Sequence, residues 1–388
     1  MSDSNRVSLK LVAESTFGTT PASPTMKALR ITGESLKQDT NTTQSQELRS
    51  DRQVADLVRV GLSASGSING ELSYGAHDTL LEALLQSANW TSDTSISDTG
   101  ISATAGSGTY TLTLASGSFT GLGFTAGMWV NVSGFTTTGT PNNGWGRISS
   151  VSTTTMVIAN NGNGFTKVAG DTVKINQGAY ITNGTTFRSF AIERQYADLA
   201  SEFAMFNGMV PDTGAINVTQ GGILGISFGF MGKKESSAAA TAATATTAAT
   251  TEDVMNAVDD VVAIMEGGAK FDVTDLKLNI ANNLRARLQV ATLGAISIGS
   301  GTIDVKGSFT AYYTSKTIVD KCLNFTSSTL ALIITKNGKT YVIDLPKMKY
   351  SNAQRVGGGI NTDVMADMQF QAIREPTENL TIKIQRIA

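Results

Sequence analysis

The chain has 388 residues, 30 Lys and Arg against 32 Asp and Glu, and a net charge of -2. With only 16% charged residues it lacks the one-signed charge that draws a protein to nucleic acid. One Cys and one His exclude an intrachain disulfide and the usual zinc sites, and no apolar run of about 18 residues predicts a membrane span. The opening residues 1–6 are polar, so no secretory signal is expected. Leu29-Arg30-Ile31-Thr32 alternates apolar and polar residues, as a half-buried strand does. Residues 39–60 form a polar segment far longer than an ordinary hairpin loop, a length that is usually functional or disordered. Within it, Glu47-Leu48-Arg49-Ser50-Asp51-Arg52 alternates acid and base. Two readings stay open there: a solvated loop with weak ion pairs, or a contact between subunits. Residues 67–74 alternate again, with Ile68, Leu72 and Tyr74 on one side and Ser67, Asn69, Glu71 and Ser73 on the other. A short helix is predicted over 78–86, with Asp78 at its positive end and Leu80, Leu81, Leu84 and Leu85 on one apolar face.

Residues 91–176 interrupt this module. They are rich in Gly, Ser and Thr, with strand-like runs at 110–114, 128–132 and 156–159 and turn signals at Asn143-Gly144 and Asn161-Gly162. They read as a small all-β insert whose removal would leave the module intact. Strand patterns resume at 187–193 and 222–232. An Ala/Thr run over 236–251 has no apolar periodicity and reads as an extended linker. The predicted division is therefore residues 1–90 with 177–235 as a first module, 91–176 as the insert, 236–258 as the linker and 259–388 as a second module.

The second module repeats the first. Leu36 returns as Leu276 and Gly66-Ser67 as Gly307-Ser308. The stripe Leu80, Leu81, Leu84, Leu85 returns as Ile318, Val319, Cys322, Leu323, at a spacing that drifts by only a few residues. Residues 328–336, 341–348 and 365–373 match 187–195, 203–210 and 225–233, so each module ends in a helix followed by three strands. Cys322 falls on the second stripe as a small buried hydrophobe. The fold class is mainly β: two tandem sandwich or barrel modules, each with a short helix.

Catalytic chemistry is hard to assemble from this chain. His77 reads as a polar residue at a helix start, and no nucleophile elbow accompanies it. Glu252-Asp253 and Asp259-Asp260 read as solvating the end of the linker. Gly121-Leu122-Gly123 and Gly357-Gly358-Gly359 lack the phosphate-loop pattern and read as turns. No enzyme activity and no cofactor are expected.

Glu14-Ser15-Thr16-Phe17-Gly18-Thr19-Thr20-Pro21, then Leu29 to Leu36, resembles the start of the tail tube proteins of long-tailed, siphovirus-type bacteriophages. So do Ser45 to Arg52, with Gly61 and Glu71-Leu72-Ser73-Tyr74 beyond, and Phe228-Gly229-Phe230-Met231-Gly232-Lys233. The resemblance implies β-sandwich subunits that close into rings around a continuous barrel. It also implies stacking of the rings into a conduit for the genome, and long hairpin loops that reach the neighbouring ring. Two modules per chain would close the ring with three chains in pseudo-sixfold symmetry, with a six-chain ring the less favoured count. Stacking is an open head-to-tail contact. The implied partners are the chain itself, genomic DNA passing non-specifically, and other tail proteins at the tube ends. The implied place is the virion tail, assembled in the bacterial cytoplasm.

On this reading the inter-ring loop contacts are Glu47, Arg49, Asp51, Arg52 and Asp56, with Arg285 and Arg287 in the matching loop over 281–300. The lumen-lining faces are Ser65, Ser67, Asn69 and Glu71, then Thr302, Asp304, Lys306 and Ser308. The insert would project from the outer wall. The alternatives are a β-rich adhesin-like surface-binding protein, with Trp129, Trp145 and Phe135 as a stacking surface for carbohydrate, and a tail terminator or decoration protein that never stacks.

Overall fold

The computed structural model describes residues 2–136, 143–159 and 166–388. The chain is mainly β, with two short α-helices among the described residues, α1 (Asp78–Leu84) and α2 (Thr317–Leu323). It divides into two compact units. One comprises Met1–Ser87, Gly184–Met255 and Lys277–Lys306; the other comprises Ala88–Asn183, Asn256–Leu276 and Gly307–Ala388. These units cut the chain differently from the sequence boundaries. Residues 88–183 belong with most of the second repeat, whereas Lys277–Lys306 belongs with the first.

The first unit is a run of antiparallel pairs. The hairpin arm Lys37–Gln44 pairs with Leu57–Glu71, which pairs with Gly225–Gly232, and that strand pairs with Phe203–Thr219. Phe203–Thr219 also pairs with Phe190–Tyr196, which pairs with Val7–Ala13. The long strand therefore changes partners midway. Phe203 to Met209 face Phe190–Tyr196, and Val210 to Asn217 face Gly225–Gly232. Gly208 sits at the change with φ +69°, and a β-carbon there would lie 3.0 Å from the Phe17 ring. Only glycine meets both demands. The Glu14 carboxylate holds the same point, accepting from the Gly208 and Gly18 amides at 2.8 and 2.7 Å and from Ser189 Oγ at 2.7 Å. The alternation read in the sequence holds as far as Leu72, with Ile68 and Leu72 buried and Asn69 exposed, but fails where the strand ends: Ser73 is buried and Tyr74 half-buried.

The Ala/Thr run differs from the expected linker. Ala245–Thr247 pairs in parallel with Thr25–Ala28, and Ala242 and Ala243 pack against Met26, Ala191 and Met205. The buried Glu193 carboxylate accepts from Thr241 Oγ1 and the Ala242 amide at 2.7 and 2.6 Å. Small side chains let the backbone lie close enough for these bonds, which periodicity does not report.

In the second unit, seven strands of residues 94–182 form one antiparallel sheet. Their order is Ile101–Ala105, Thr109–Leu114, Thr155–Ala159, Gly144–Val151, Trp129–Ser133, Val173–Thr182 and Thr94–Asp98. The expected runs 110–114 and 156–159 lie within these elements, and 128–132 does so except for Met128, which precedes its strand; the Asn161-Gly162 turn signal falls outside the described residues. One face packs a core of Leu112, Phe119, Val130, Phe135, Ile148 and Ile175. Val173–Thr182 bends at Gly178, φ +67°, where a β-carbon would lie 2.2 Å from the Arg386 carbonyl oxygen, and then pairs with Lys383–Ile387.

The remaining strands repeat the first unit's scheme. Val261–Glu266 pairs with Ser327–Lys336, which pairs with the long strand Lys339–Gly357. That strand pairs with Lys383–Ile387 over Thr340 to Asp344 and with Val364–Ala372 over Met348 to Gly357. The helix-then-three-strands correspondence thus holds in type and order. It extends to a fourth strand, since Lys234–Ala238 stands to Phe203–Thr219 as Lys383–Ile387 does to Lys339–Gly357. Among the described residues no strand set closes into a barrel within one chain.

The expectation that residues 91–176 are a detachable projection meets a buried network. Lys383, fully buried, pairs with Asp344 at 3.1 Å and Glu378 at 2.6 Å, and donates to the Gly127 carbonyl. Arg147 of the insert pairs with Glu378 at 2.6 Å and Asp344 at 3.3 Å. The buried Gln385 side-chain amide accepts from the backbone N–H of Trp129 and donates to its carbonyl, at 2.8 and 2.9 Å. Two cations and two carboxylates neutralise one another here, so removing one leaves a buried charge unpaired. Lys383→Met should lower the unit's unfolding free energy by about 3–5 kcal/mol, measured by denaturant titration.

His77 precedes α1 and is buried beside Phe228, with Nε2 donating to the Glu71 carbonyl at 3.3 Å and Nδ1 without a partner. Burial first, with Lys27 and Arg30 adding and the Glu71 carbonyl and Asp78 opposing, lowers its pKa from 6.5 to about 4. The unfolded chain therefore takes the proton first, and stability is lost as pH falls from 6.5 through 4. The loss is at most about 3 kcal/mol. The thermal midpoint of His77→Gln should fall less over that pH range than that of the native chain.

Candidate assembly surfaces

The polar segment 39–60 is built as a long hairpin. Lys37–Gln44 pairs with Leu57–Glu71 from Lys37 opposite Ser65 out to Gln44 opposite Leu57, and the tip beyond is exposed. Arg49 grips Asp51 with two hydrogen bonds, at 3.1 and 2.7 Å, which lowers the Asp51 pKa and raises that of Arg49. Arg52 turns the chain with φ +60°. Glu47 and Asp56 are exposed, and Asp56 caps the Leu57 amide at 2.7 Å. Charges read from the sequence as a contact set are thus gathered on one tip.

Apolar side chains share this hairpin and escaped the charge-based reading. Leu48 is 99% exposed, and Val54, Leu57, Val58 and Val60 are exposed too. The run Leu57-Val58-Arg59-Val60 was their signal in the sequence. Exposed apolar side chains gathered on one arm are the kind of surface that partners cover.

The matching loop is a smaller hairpin, Arg285–Arg287 paired with Ser297–Gly299. Arg285 donates to the Ser300 carbonyl at 3.3 Å; both arginines are exposed. This hairpin folds onto the first unit. Leu284 and Ile298 pack on Val210, with Phe17 and Met231 alongside. The buried Asn282 amide donates to the Leu84 and Pro211 carbonyls at 2.8 and 3.1 Å. The Leu284 amide donates to Asp212 at 3.0 Å, and Gln86 donates to Ser300 Oγ at 2.8 Å. The C-terminal end of α1 is thereby capped and covered, satisfying a carbonyl the helix itself leaves open.

The end of α2 differs. Leu85 after α1 is 1% exposed, whereas its counterpart Leu323 in α2 is 72% exposed and Phe325 is 61% exposed. Ile318 and Cys322 are half-buried, so the second stripe is less covered than the sequence pattern predicts. α2 is anchored instead by Lys321, whose ammonium meets both oxygens of the buried Glu266 at 2.8 and 2.7 Å.

The first polar face assigned from sequence lies on its strand; of the second, Asp304, Lys306 and Ser308 lie on the strand Asp304–Tyr312, while Thr302 precedes it. On Leu57–Glu71, Ser65 donates to Asp39 at 3.0 Å, Ser67 meets Ser35 at 3.0 Å, Asn69 is exposed and Glu71 is half-buried. Lys37 first, then Ser65, holds the Asp39 carboxyl below its usual range. On the second, Thr302 and Lys306 are exposed and Asp304 and Ser308 half-buried, while Val305 and Phe309 point inward. Lys306 pairs directly with Asp304.

Among the described residues, no group of three His, Cys, Asp or Glu side chains could hold a metal ion. No helix among them is long and apolar enough to cross a membrane.

No curated protein matches the chain. A family model described as phage tail tube protein matches residues 4–372, which is nearly the whole chain. By that match the chain belongs to the phage tail tube protein family.

Proposed function

We propose that this structural tail component assembles with itself, head to tail, into rings of three chains with pseudo-sixfold symmetry. The rings stack into the conduit through which the genome leaves the virion, with other tail proteins at its ends. Assembly in the host cytoplasm and a non-enzymatic role belong to the same reading. The two repeats are its tube modules.

One observation carries the proposal. The end of α1 is covered by the second repeat's hairpin, whereas the corresponding end of α2 exposes Leu323 and Phe325. The first repeat's hairpin meanwhile exposes Leu57, Val58 and Val60. A second copy of the chain can supply to α2 what the chain supplies to α1 itself, a heterologous contact that closes into a ring. The tip beyond, with Glu47, Arg49, Asp51, Arg52 and Asp56, is left for the next ring, together with Arg285 and Arg287. The faces bearing Ser65 to Glu71 and Thr302 to Ser308 would then line the lumen.

Negative-stain electron microscopy of the concentrated protein tests this. Hollow tubes with threefold or pseudo-sixfold end views are expected. Closed rings that never stack would favour a terminator or decoration protein instead. Leu323→Asp should abolish rings while leaving the melting of the isolated chain within about 0.5 kcal/mol of the native value, because the residue is exposed in the monomer. Replacing residues 46–55 with a short turn should permit rings and block stacking; normal tubes from that variant would overturn the tip assignment.

A further inference from the structure

The Trp129–Ser133 and Gly144–Val151 strands pair with Arg147 opposite Trp129 and Trp145 opposite Asn131. Val130, Val132 and Ile148 face the core of their own sheet. The other face carries Trp129, Asn131, Trp145 and Arg147, and it borders two clefts. The larger, about 660 Å³, is lined among others by Trp129, Trp145, Arg147, Met265, Lys270 and Ser327. The smaller, about 290 Å³, is lined by Asn131, Trp145, Lys174, Asn176 and Thr335. Trp145 is half-buried and lines both. Trp129 is only 5% exposed, and its indole N–H has no acceptor among the described residues. A buried donor left unmet costs free energy that an incoming acceptor recovers.

From this arrangement we infer that the double cleft is a saccharide-binding site, taking an oligosaccharide that crosses Trp145. The chemistry of the walls selects this class. Arg147 is neutralised by Asp344 and Glu378, and Lys321 by Glu266, which leaves Lys270 as the exposed cation of the larger cleft. With the exposed Lys174 of the smaller cleft, the described walls of the double cleft hold two separated open cations, too few for a polyphosphate or nucleic acid. A wholly apolar ligand would strand the hydroxyl, amide and ammonium groups of the walls. A pyranose satisfies both demands, since its C–H face lies against an indole while its hydroxyls meet the surrounding polar groups. The volumes suit a few sugar units. The Trp129 N–H is assigned to a ring hydroxyl, Lys270 to a hydroxyl or an acidic substituent, and Asn131 and Asn176 to the units beyond Trp145. This site is independent of ring closure and stacking.

Titration of the full chain with cello-, malto- and chito-oligosaccharides, read by tryptophan emission, tests the assignment. A saturable change is expected with at least one series. Trp145→Ala should weaken binding at least about tenfold. Trp129→Phe, which keeps a ring and removes the N–H, should weaken it by a smaller factor. Trp90→Phe should leave affinity unchanged, because Trp90 packs under Arg386 outside both clefts. Circular dichroism and the thermal midpoint of each variant separate lost binding from lost folding, and Trp145→Phe provides a stacking-competent replacement should the alanine variant unfold. No saturable change with any series up to about 10 mM overturns the proposal. So does binding that a folded Trp145→Ala variant retains in full.

Discussion

Each repeat depends on one long strand that must serve two sets of partners. A strand that changes neighbours midway has to bend, and a bend leaves amides and carbonyls that need new partners. In Phe203–Thr219 the bend falls at Gly208, and the Glu14 carboxylate takes up its amide together with those of the N-terminal turn. In Lys339–Gly357 the register shifts between Tyr350 and Asn352. Upstream of that shift, Asp344 draws Lys383 and Arg147 together. The two copies have kept the bent strand and use different carboxylates to secure it. That is why Glu14 to Pro21 stands out as a motif: it is the fastening of the bend, with Phe17 against Gly208 as its second point of contact.

Much of this was legible in the sequence. The helix beginning at Asp78, the alternation from Ser67 to Leu72 and the repeat of helix and strands followed from periodicity, because each reflects a local face meeting a core. The insert's strands were legible for the same reason. Its attachment was not, because Arg147, Lys383 and Gln385 look like ordinary surface residues until distant segments bring carboxylates and amides to them. The Ala/Thr run misled because its stability comes from the backbone and from Glu193, neither of which leaves a hydrophobic pattern.

At the assembly surfaces, charge alternation pointed to the hairpin tip, and Arg49 and Asp51 do clasp each other there. The apolar arm below it was overlooked because Leu57-Val58 reads equally well as the start of a buried strand. The contrast between Leu85 and Leu323 was invisible for a deeper reason: the end of α1 is closed over by distant segments, with Gly184 donating to the Leu85 carbonyl and Asn282 to that of Leu84, whereas Leu323 stays exposed. Pattern reveals which residues want a partner; tertiary structure decides which of them have found one within their own chain.

The Asp304–Lys306 pair has a consequence of its own. A lone lysine on a polar strand face would exchange places with the small ions that surround a polyanion, and the entropy of freeing them would hold the polymer there. A lysine already closed onto its neighbour offers no such exchange. In the proposed tube, this strand with Thr302 just before it and Ser308 along it would present a passing polyelectrolyte with hydroxyls and a small dipole.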